Sequence, residues 1–177
     1  EIKAAKLTRR KWSKHCQYKK VGYEWAYKNI EPKIIAEKYL EEEGKDVLYD
    51  YKFFCFNGEP EFLQIDIERG IKDYRCYYDL NWLKLPFSIS KRPMFNYNVP
   101  KPSNFEEMKS LAASLAGNLP FARVDFYSVN SKTIFGEITF YPEDGKVNFL
   151  PEEYNSIIGD YLTLPKIPET QNIITVF

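Results

Sequence analysis

The sequence is short of the residues that build metal clusters and covalent staples. Of its 177 residues three are cysteine (Cys16, Cys55 and Cys76) and one is histidine, His15. An odd number of thiols with no Cys-x-x-Cys spacing argues against a disulfide framework and against a zinc site; reduced thiols in a cytoplasmic protein fit better. His15 lies in a basic stretch, where a surface role is expected rather than a catalytic one. The eight glycines are all isolated, so no glycine-rich phosphate loop is present. Neither sign of charge prevails, with 25 Lys and Arg against 25 Asp and Glu, which removes the electrostatic footprint of a nucleic-acid binder. No apolar run approaches the roughly 18 residues of a membrane span, and there is no signal-peptide pattern.

What is present is an ordinary soluble composition, 44% apolar and 28% charged, in a length that suits one large domain or two small lobes. Aromatics are plentiful, with 14 Tyr and 13 Phe. Half-buried strands favour such residues, and so do the walls of a cleft. Residues 1–20 carry Lys3, Lys6, Arg9, Arg10, Lys11, Lys14, Lys19 and Lys20 against a single acid, Glu1. That run reads as a solvated helix face or as a phosphate-facing one. The chain opens without Met inside this helical pattern, so we expect it to be a piece of something longer.

Hydrophobic spacing outlines the elements. Residues 2–20 read as helix, with a further turn from Tyr23 to Tyr27, and Ile34-Ile35-Ala36 as a short strand after the helix breaker Pro32. Tyr51 to Phe56 is a strand, Asn57-Gly58 the hairpin signal, and Glu61 to Ile67 the return, with Leu63, Ile65 and Ile67 on one face. A third strand is expected from Asp73 to Tyr78. Leu85 to Pro102, with four prolines, reads as loop. Ser103-x-x-Glu106 has the pattern of a capping box and starts a helix over 104–116, packed through Met108, Ala112 and Leu115. Phe121 to Tyr127 and Thr133 to Phe140 form a second hairpin across Ser128–Lys132. A short helix follows Pro151, and Pro165 and Pro168 mark an extended tail. Antiparallel strands with packed helices make this an α+β chain.

The second hairpin holds the chemistry. Arg123 and Asp125 are two apart on one strand and share a face, as do Glu137 and Thr139 on the return strand. Folding lays Asp125 near Glu137, where two carboxylates repel unless a cation lies between them. Oxygen ligands without His or Cys select a hard ion such as Mg²⁺. The alternative is that one carboxylate faces solvent and pairs with Lys132 or Lys146. On the first reading the metal-free pair is strained, so Asp125→Asn leaves the apo protein equally stable or more stable. Lys52 alternates with Phe54 and Phe56 on an apolar face, and a buried ammonium needs an anion; a snorkelling edge lysine is the other reading.

Arg123-x-Asp125-Phe126, followed about twelve residues later by Glu137-Ile138-Thr139-Phe140-x-Pro142-x-x-Gly145, resembles the metal hairpin of ATP-grasp enzymes. The resemblance implies that Arg123 contacts the transferred phosphate, and that Asp125, Glu137 and Thr139 hold Mg²⁺ on ATP, with Thr139 standing where Asn is usual. Ile34-Ile35-Ala36-Glu37-Lys38-Tyr39-Leu40 resembles the adenine hinge of the same enzymes. It implies that Glu37 accepts from the adenine amino group and that the backbone of Tyr39 and Leu40 completes the edge contacts, with Lys38 beside them. One of Glu41, Glu42 and Glu43 would hold the ribose, and Glu43 is placed in the cofactor set. Asp50 to Gly58, Tyr78-Asp79-Leu80-Asn81-Trp82 and Gly136 to Pro142 are similar to the TupA-like branch, whose members are tied to teichuronopeptide and surface-polysaccharide synthesis. The likeness covers roughly residues 20–165 and makes ATP phosphate the anion of Lys52.

The domain reading that follows is an N-terminal helical segment over 1–32, a C-terminal ATP-grasp lobe over 33–165 and a tail over 166–177. The fold expected is ATP-grasp-like and incomplete at the N-terminus, because the lysine-bearing strand and glycine-rich loop of the family have no counterpart here. The activity implied is that of a bacterial carboxylate–amine ligase dependent on ATP and Mg²⁺, working through an acyl phosphate on an amino acid or polymer precursor, with Arg123 and Lys52 as its catalytic residues. The alternatives are a degenerate ATP-grasp module that binds nucleotide or carbohydrate, and a protein associated with glycosyltransferases. Neither involves nucleic acid or a membrane span.

Overall fold

The structure, a computed structural model, describes residues 24–31, 33–44, 48–67, 74–89 and 93–166. The helix expected over 2–20 lies outside the described residues, as does the end of the tail. The chain divides into two compact units, one of Glu1–Leu40 with Tyr141–Lys146, the other of Glu41–Phe140 with Val147–Phe177.

In the first unit Trp25–Tyr27 forms one 3-10 turn, closed by Lys28 N–H donating to Trp25 O at 3.1 Å. The Lys28 ammonium sits 4.0 Å over the Trp25 ring. Pro142–Gly145 forms a second 3-10 segment, and the Tyr141 ring meets Tyr27 edge-on at 6.0 Å. Ile34-Ile35-Ala36 is not a strand: residues 33–40 have no regular structure, and Ile34 and Ile35 are exposed. β-branched residues make a strand only where a partner supplies the ladder, and among the described residues none pairs with them.

The second unit is built on five antiparallel strands in the order β3-β2-β1-β5-β6. They are β1 (Asp50–Phe56), β2 (Glu59–Ile67), β3 (Tyr74–Asp79), β5 (Phe121–Val129) and β6 (Lys132–Thr139). Asn57 and Gly58 both have positive φ, 52° and 88°, and close β1 onto β2 as a two-residue turn. The second hairpin is tighter than Ser128–Lys132. Asn130 and Ser131, with φ of 50° and 61°, form another two-residue turn, so both strands run further. The proline-rich stretch contains a short strand, β4 (Ser88–Ile89), which pairs with β7 (Phe149–Leu150). Helix α1 (Phe105–Ala116) precedes β5, and α2 (Glu153–Gly159) begins two residues after Pro151.

Alternation gives the large sheet two faces. One carries Tyr51, Phe53, Leu63, Ile65, Val124 and Phe126, packed under α1 through Phe105, Met108, Ala112 and Ala116. Leu115 does not share in this. It is exposed, because one step along the helix Ala116 falls in the row that starts at Phe105. The capping box is not formed either. Asn104 is the N-cap residue and makes no side-chain cap bond; its amide instead donates to Thr133 Oγ1 (2.8 Å) and accepts from Ser128 Oγ (2.8 Å) on the second hairpin. Ser103 bonds Ser131, and Glu106 bonds Lys101 and Lys109.

The other face is divided along its length. One end holds a second apolar cluster of Phe54, Phe56, Phe62, Tyr77, Phe87, Ile89 and Ile158. The rest is polar, and the candidate residues lie on it.

Candidate functional site

The register places each side chain of the polar face. Lys52 on β1 lies opposite Asp125 on β5 and opposite Gln64 on β2. Two residues before Lys52, on the same face, is Asp50; two before Asp125 is Arg123. Between β5 and β6 the ladder shifts by one residue: Val124 pairs with Ile138 but Phe126 with Phe135, so Gly136 and Glu137 together oppose Asp125. This is a β-bulge, and glycine leaves room for it. A Cβ on Gly136 would stand 3.0 Å from the Asp125 carbonyl oxygen.

The outcome is a continuous row of charges. Lys52 Nζ stands 2.6 Å from Asp50 Oδ2 and 2.5 Å from Asp125 Oδ2. Arg123 binds Asp125 with two bonds of 2.8 Å, Nε to Oδ1 and Nη2 to Oδ2. The same Nη2 also reaches Glu137 Oε1 at 3.1 Å and Thr139 Oγ1 at 3.0 Å. Asp50, Lys52, Arg123 and Asp125 are buried, whereas the Glu137 side chain is 64% exposed. The polar face continues on β2 and β3, where Arg75 binds Asp66 through Nε at 2.8 Å and Nη2 at 3.2 Å, and Gln64 donates to both Asp66 oxygens.

This geometry corrects one expectation and answers another. The ligand-free carboxylates are not left to repel: Asp125 is held by two cations, and Glu137 by one of them. Removing the Asp125 charge therefore breaks a buried ion-pair network instead of relieving strain. The partners are not Lys132 or Lys146 either; Lys146 pairs with Asp144. Lys52 is no snorkelling edge residue, being buried on the central strand β1 between two acids.

Lys52, Arg123, Asp125, Glu137 and Thr139 are thus brought together. Glu37, Lys38, Tyr39 and Leu40 lie in the first unit, Tyr39 being 83% exposed. Of the following acids, Glu41 and Glu43 are exposed and Glu42 is half-buried. Burial first, then Tyr49 and Glu42, push the Tyr51 phenol up from its ordinary range. Tyr78-Asp79-Leu80-Asn81-Trp82 is an architectural turn: Asp79 Oδ1 accepts from Asn81 N–H (2.9 Å) and Leu83 N–H (2.7 Å), and the Trp82 indole donates to Val99 O at 2.7 Å.

Two parts of the polar face escaped the sequence reading. Asp50 was not singled out, although its spacing from Lys52 was the signal. Gln64 and Asp66 alternate with Leu63 and Ile65, which marks them as the opposite face of a strand buried on both sides.

An all-oxygen set of Asp125, Glu137 and Thr139 suits a hard divalent cation. The row also holds three carboxylates (Asp50, Asp125, Glu137) against two cations (Lys52, Arg123), which leaves a net negative charge. Among the described residues no group of three or more His, Cys, Asp or Glu is placed to hold a metal ion, so protein carboxylates alone do not make a cage.

Antiparallel strands with packed helices make the unit α+β, as the sequence leads one to expect. The family model of the TupA-like ATP-grasp proteins matches residues 1–163, and the chain belongs to that family. With the family comes a ligase-type role. No curated protein and no solved structure matches the chain. Among the described residues no helix is long and apolar enough to cross a membrane.

Proposed function

We propose that this chain carries the phosphoryl-transfer site of an ATP- and magnesium-dependent carboxylate–amine ligase of cell-surface polymer synthesis, such as teichuronopeptide formation, working in the cytoplasm. The observation that carries the reading is the convergence of Asp125, Glu137 and Thr139 on one guanidinium nitrogen of Arg123. Magnesium would be held by Asp125 and Glu137, with Thr139 as a neutral third ligand, and would supply charge neutralisation at the ATP phosphates. The chain's own residues do the rest by positioning and by fixed positive charge. Arg123 and Lys52 offer N–H donors to the oxygens of the transferring phosphoryl group.

In that reaction a substrate carboxylate oxygen attacks the γ-phosphorus of ATP and the bond to the bridging oxygen breaks, releasing ADP. The amine nitrogen then attacks the acyl carbon, inorganic phosphate leaves with the bonding electrons, and the nitrogen loses a proton. No side-chain nucleophile takes part. Glu37 to Leu40, with Glu43, are proposed separately as the residues that recognise adenosine; Glu37→Ala would weaken ATP binding by about 1–3 kcal/mol, the worth of a lost charged hydrogen bond.

The test is calorimetric titration of magnesium–ATP into the intact protein and into its Glu137→Gln variant. Binding by the wild type and a clear loss in the variant support the site, while equal binding by both removes Glu137 from it. A second reading, a non-catalytic module that binds nucleotide, draws on Thr139, whose hydroxyl is engaged between Arg123 and Glu137 (3.0 and 3.3 Å). ATP turnover by the intact wild-type protein separates the two readings, since only a catalytic site releases ADP from bound ATP.

A further inference from the structure

Asp50 opens β1 on the charged face, with its carboxylate buried and its Oδ2 2.6 Å from the Lys52 ammonium. Its bearing on the site follows from the state of Asp125. Both Asp125 oxygens are already engaged, Oδ1 by Arg123 Nε, Oδ2 by Arg123 Nη2 and by Lys52. A carboxylate so occupied has little to offer a divalent cation unless a resident cation withdraws. Each of the two has a second anchor. Arg123 is tied to Glu137 and Thr139, and Lys52 is tied to Asp50.

On the reading of Asp125 as a magnesium ligand, we infer that Asp50 is a positioning residue: it retains the Lys52 ammonium on the sheet face when Asp125 turns to a cation carried by the ATP phosphates. Without Asp50, Lys52 has Asp125 as its sole carboxylate in the row and competes with the incoming cation for it. With Asp50, the ammonium stays beside Asp125, aligned for phosphate oxygens, while Asp125 is freed. The acids and bases of the row hold one another, and the two cations keep a second partner when Asp125 turns away. A cation that arrives with a triphosphate gains, because the phosphates engage the lysine and arginine that Asp125 gives up. A bare cation must displace them without replacement.

The experiment measures magnesium–ATP binding to the intact protein by calorimetry in the wild type, Asp50→Asn and Asp50→Glu, with folding followed by circular dichroism. The expected result is a loss of affinity of about tenfold or more in Asp50→Asn, the size typical of a lost outer-shell partner. Recovery in Asp50→Glu, which keeps the charge, completes it. Wild-type affinity in Asp50→Asn, or an Asp50→Glu as weak as Asp50→Asn, overturns the inference and leaves the proposed function standing. An intact wild-type protein that binds no magnesium–ATP defeats the proposed function, and the inference falls with it. Asp50→Ser replaces Asp50→Asn if the latter does not fold; failure of both to fold makes Asp50 structural and overturns the inference as well.

Discussion

Arg123 grips Asp125, two residues along its own strand, through two bonds of 2.8 Å from Nε and Nη2 to the two carboxylate oxygens. Neighbours at i and i+2 on a strand share a face, so the pair forms without any contribution from another element. It is a strand-local ion pair, buried, and joined by Lys52 from β1.

Stability of the chain without nucleotide should fall in Asp125→Asn by about 3 kcal/mol, the cost of breaking a buried ion pair by removing one partner. Urea unfolding of the two proteins without nucleotide checks it. A variant as stable as the wild type, or more so, would reinstate the view that the carboxylates repel in the apo state.

The first turn of α1 makes a different prediction from the one its Ser103-x-x-Glu106 pattern suggests. Asn104 ties the helix to Thr133 and Ser128 with two bonds of 2.8 Å, while Ser103 bonds only Ser131. Asn104→Ala should cost about 1–3 kcal/mol, the penalty for half-buried partners left unsatisfied. Ser103→Ala should cost only a few tenths, as exposed surface substitutions do. Thermal midpoints of the two variants decide, and an equal or reversed ranking would restore the capping box.

Gly58 is fixed by its backbone and by its neighbour. Its φ is 88°, and a Cβ there would lie 2.1 Å from the Gly117 carbonyl oxygen, just past the end of α1. Gly58→Ala therefore strains the turn and pushes the helix end away, at a cost of at least about 1–3 kcal/mol. Gly44 has a comparable φ but open space around it. Gly44→Ala is the control that carries the backbone cost without the collision, and equal losses in the two variants would contradict the close approach.

Burial drives the Cys55 thiol from 9.0 up to about 12, with Glu59 adding to the effect. The sign follows directly. Below pH 9 the thiol is protonated in both states and contributes nothing to the pH dependence. Above it, the unfolded chain releases a proton that the folded chain keeps, so stability falls as pH rises towards 12. The slope is at most about 1.4 kcal/mol per pH unit from this group. Urea midpoints at pH 8 and pH 10 should converge more in Cys55→Ala than in the wild type; identical losses would mean that Cys55 ionises freely in the fold.

The strands of the second unit were legible because their signal is local. Period-two alternation and Asn57-Gly58 fix β1 and β2, and Arg123-x-Asp125 with Glu137-x-Thr139 puts four candidate side chains on one face by geometry alone. Errors arose where the outcome depends on what lies across the gap. Ile34-Ile35-Ala36 has the composition of a strand and lacks a ladder. Leu115 has the spacing of a core residue, yet the row from Phe105 through Met108 and Ala112 ends on Ala116. Asp125 was read against the carboxylate across the hairpin, whereas Lys52, brought in from β1 by a pairing that spans 73 residues of chain, determines its charge balance. Non-local pairing of this kind leaves no trace in a single sequence beyond a polar residue where an apolar one was due.

The bulge at Gly136 and Glu137 has a bearing on which changes this hairpin can absorb. Phe126 to Val129 and their partners follow one register; Arg123 and Val124 follow another, one residue out of step. The turn end of the hairpin answers to α1 through Ser128 and Thr133, and the open end answers to the charged row. Because the two lengths meet at one glycine, drift in the turn need not propagate to Arg123 and Glu137. The Asn130-Ser131 end is thus free to vary with the helix it supports, while a side chain at position 136 would press on the Asp125 backbone and the Tyr127 ring.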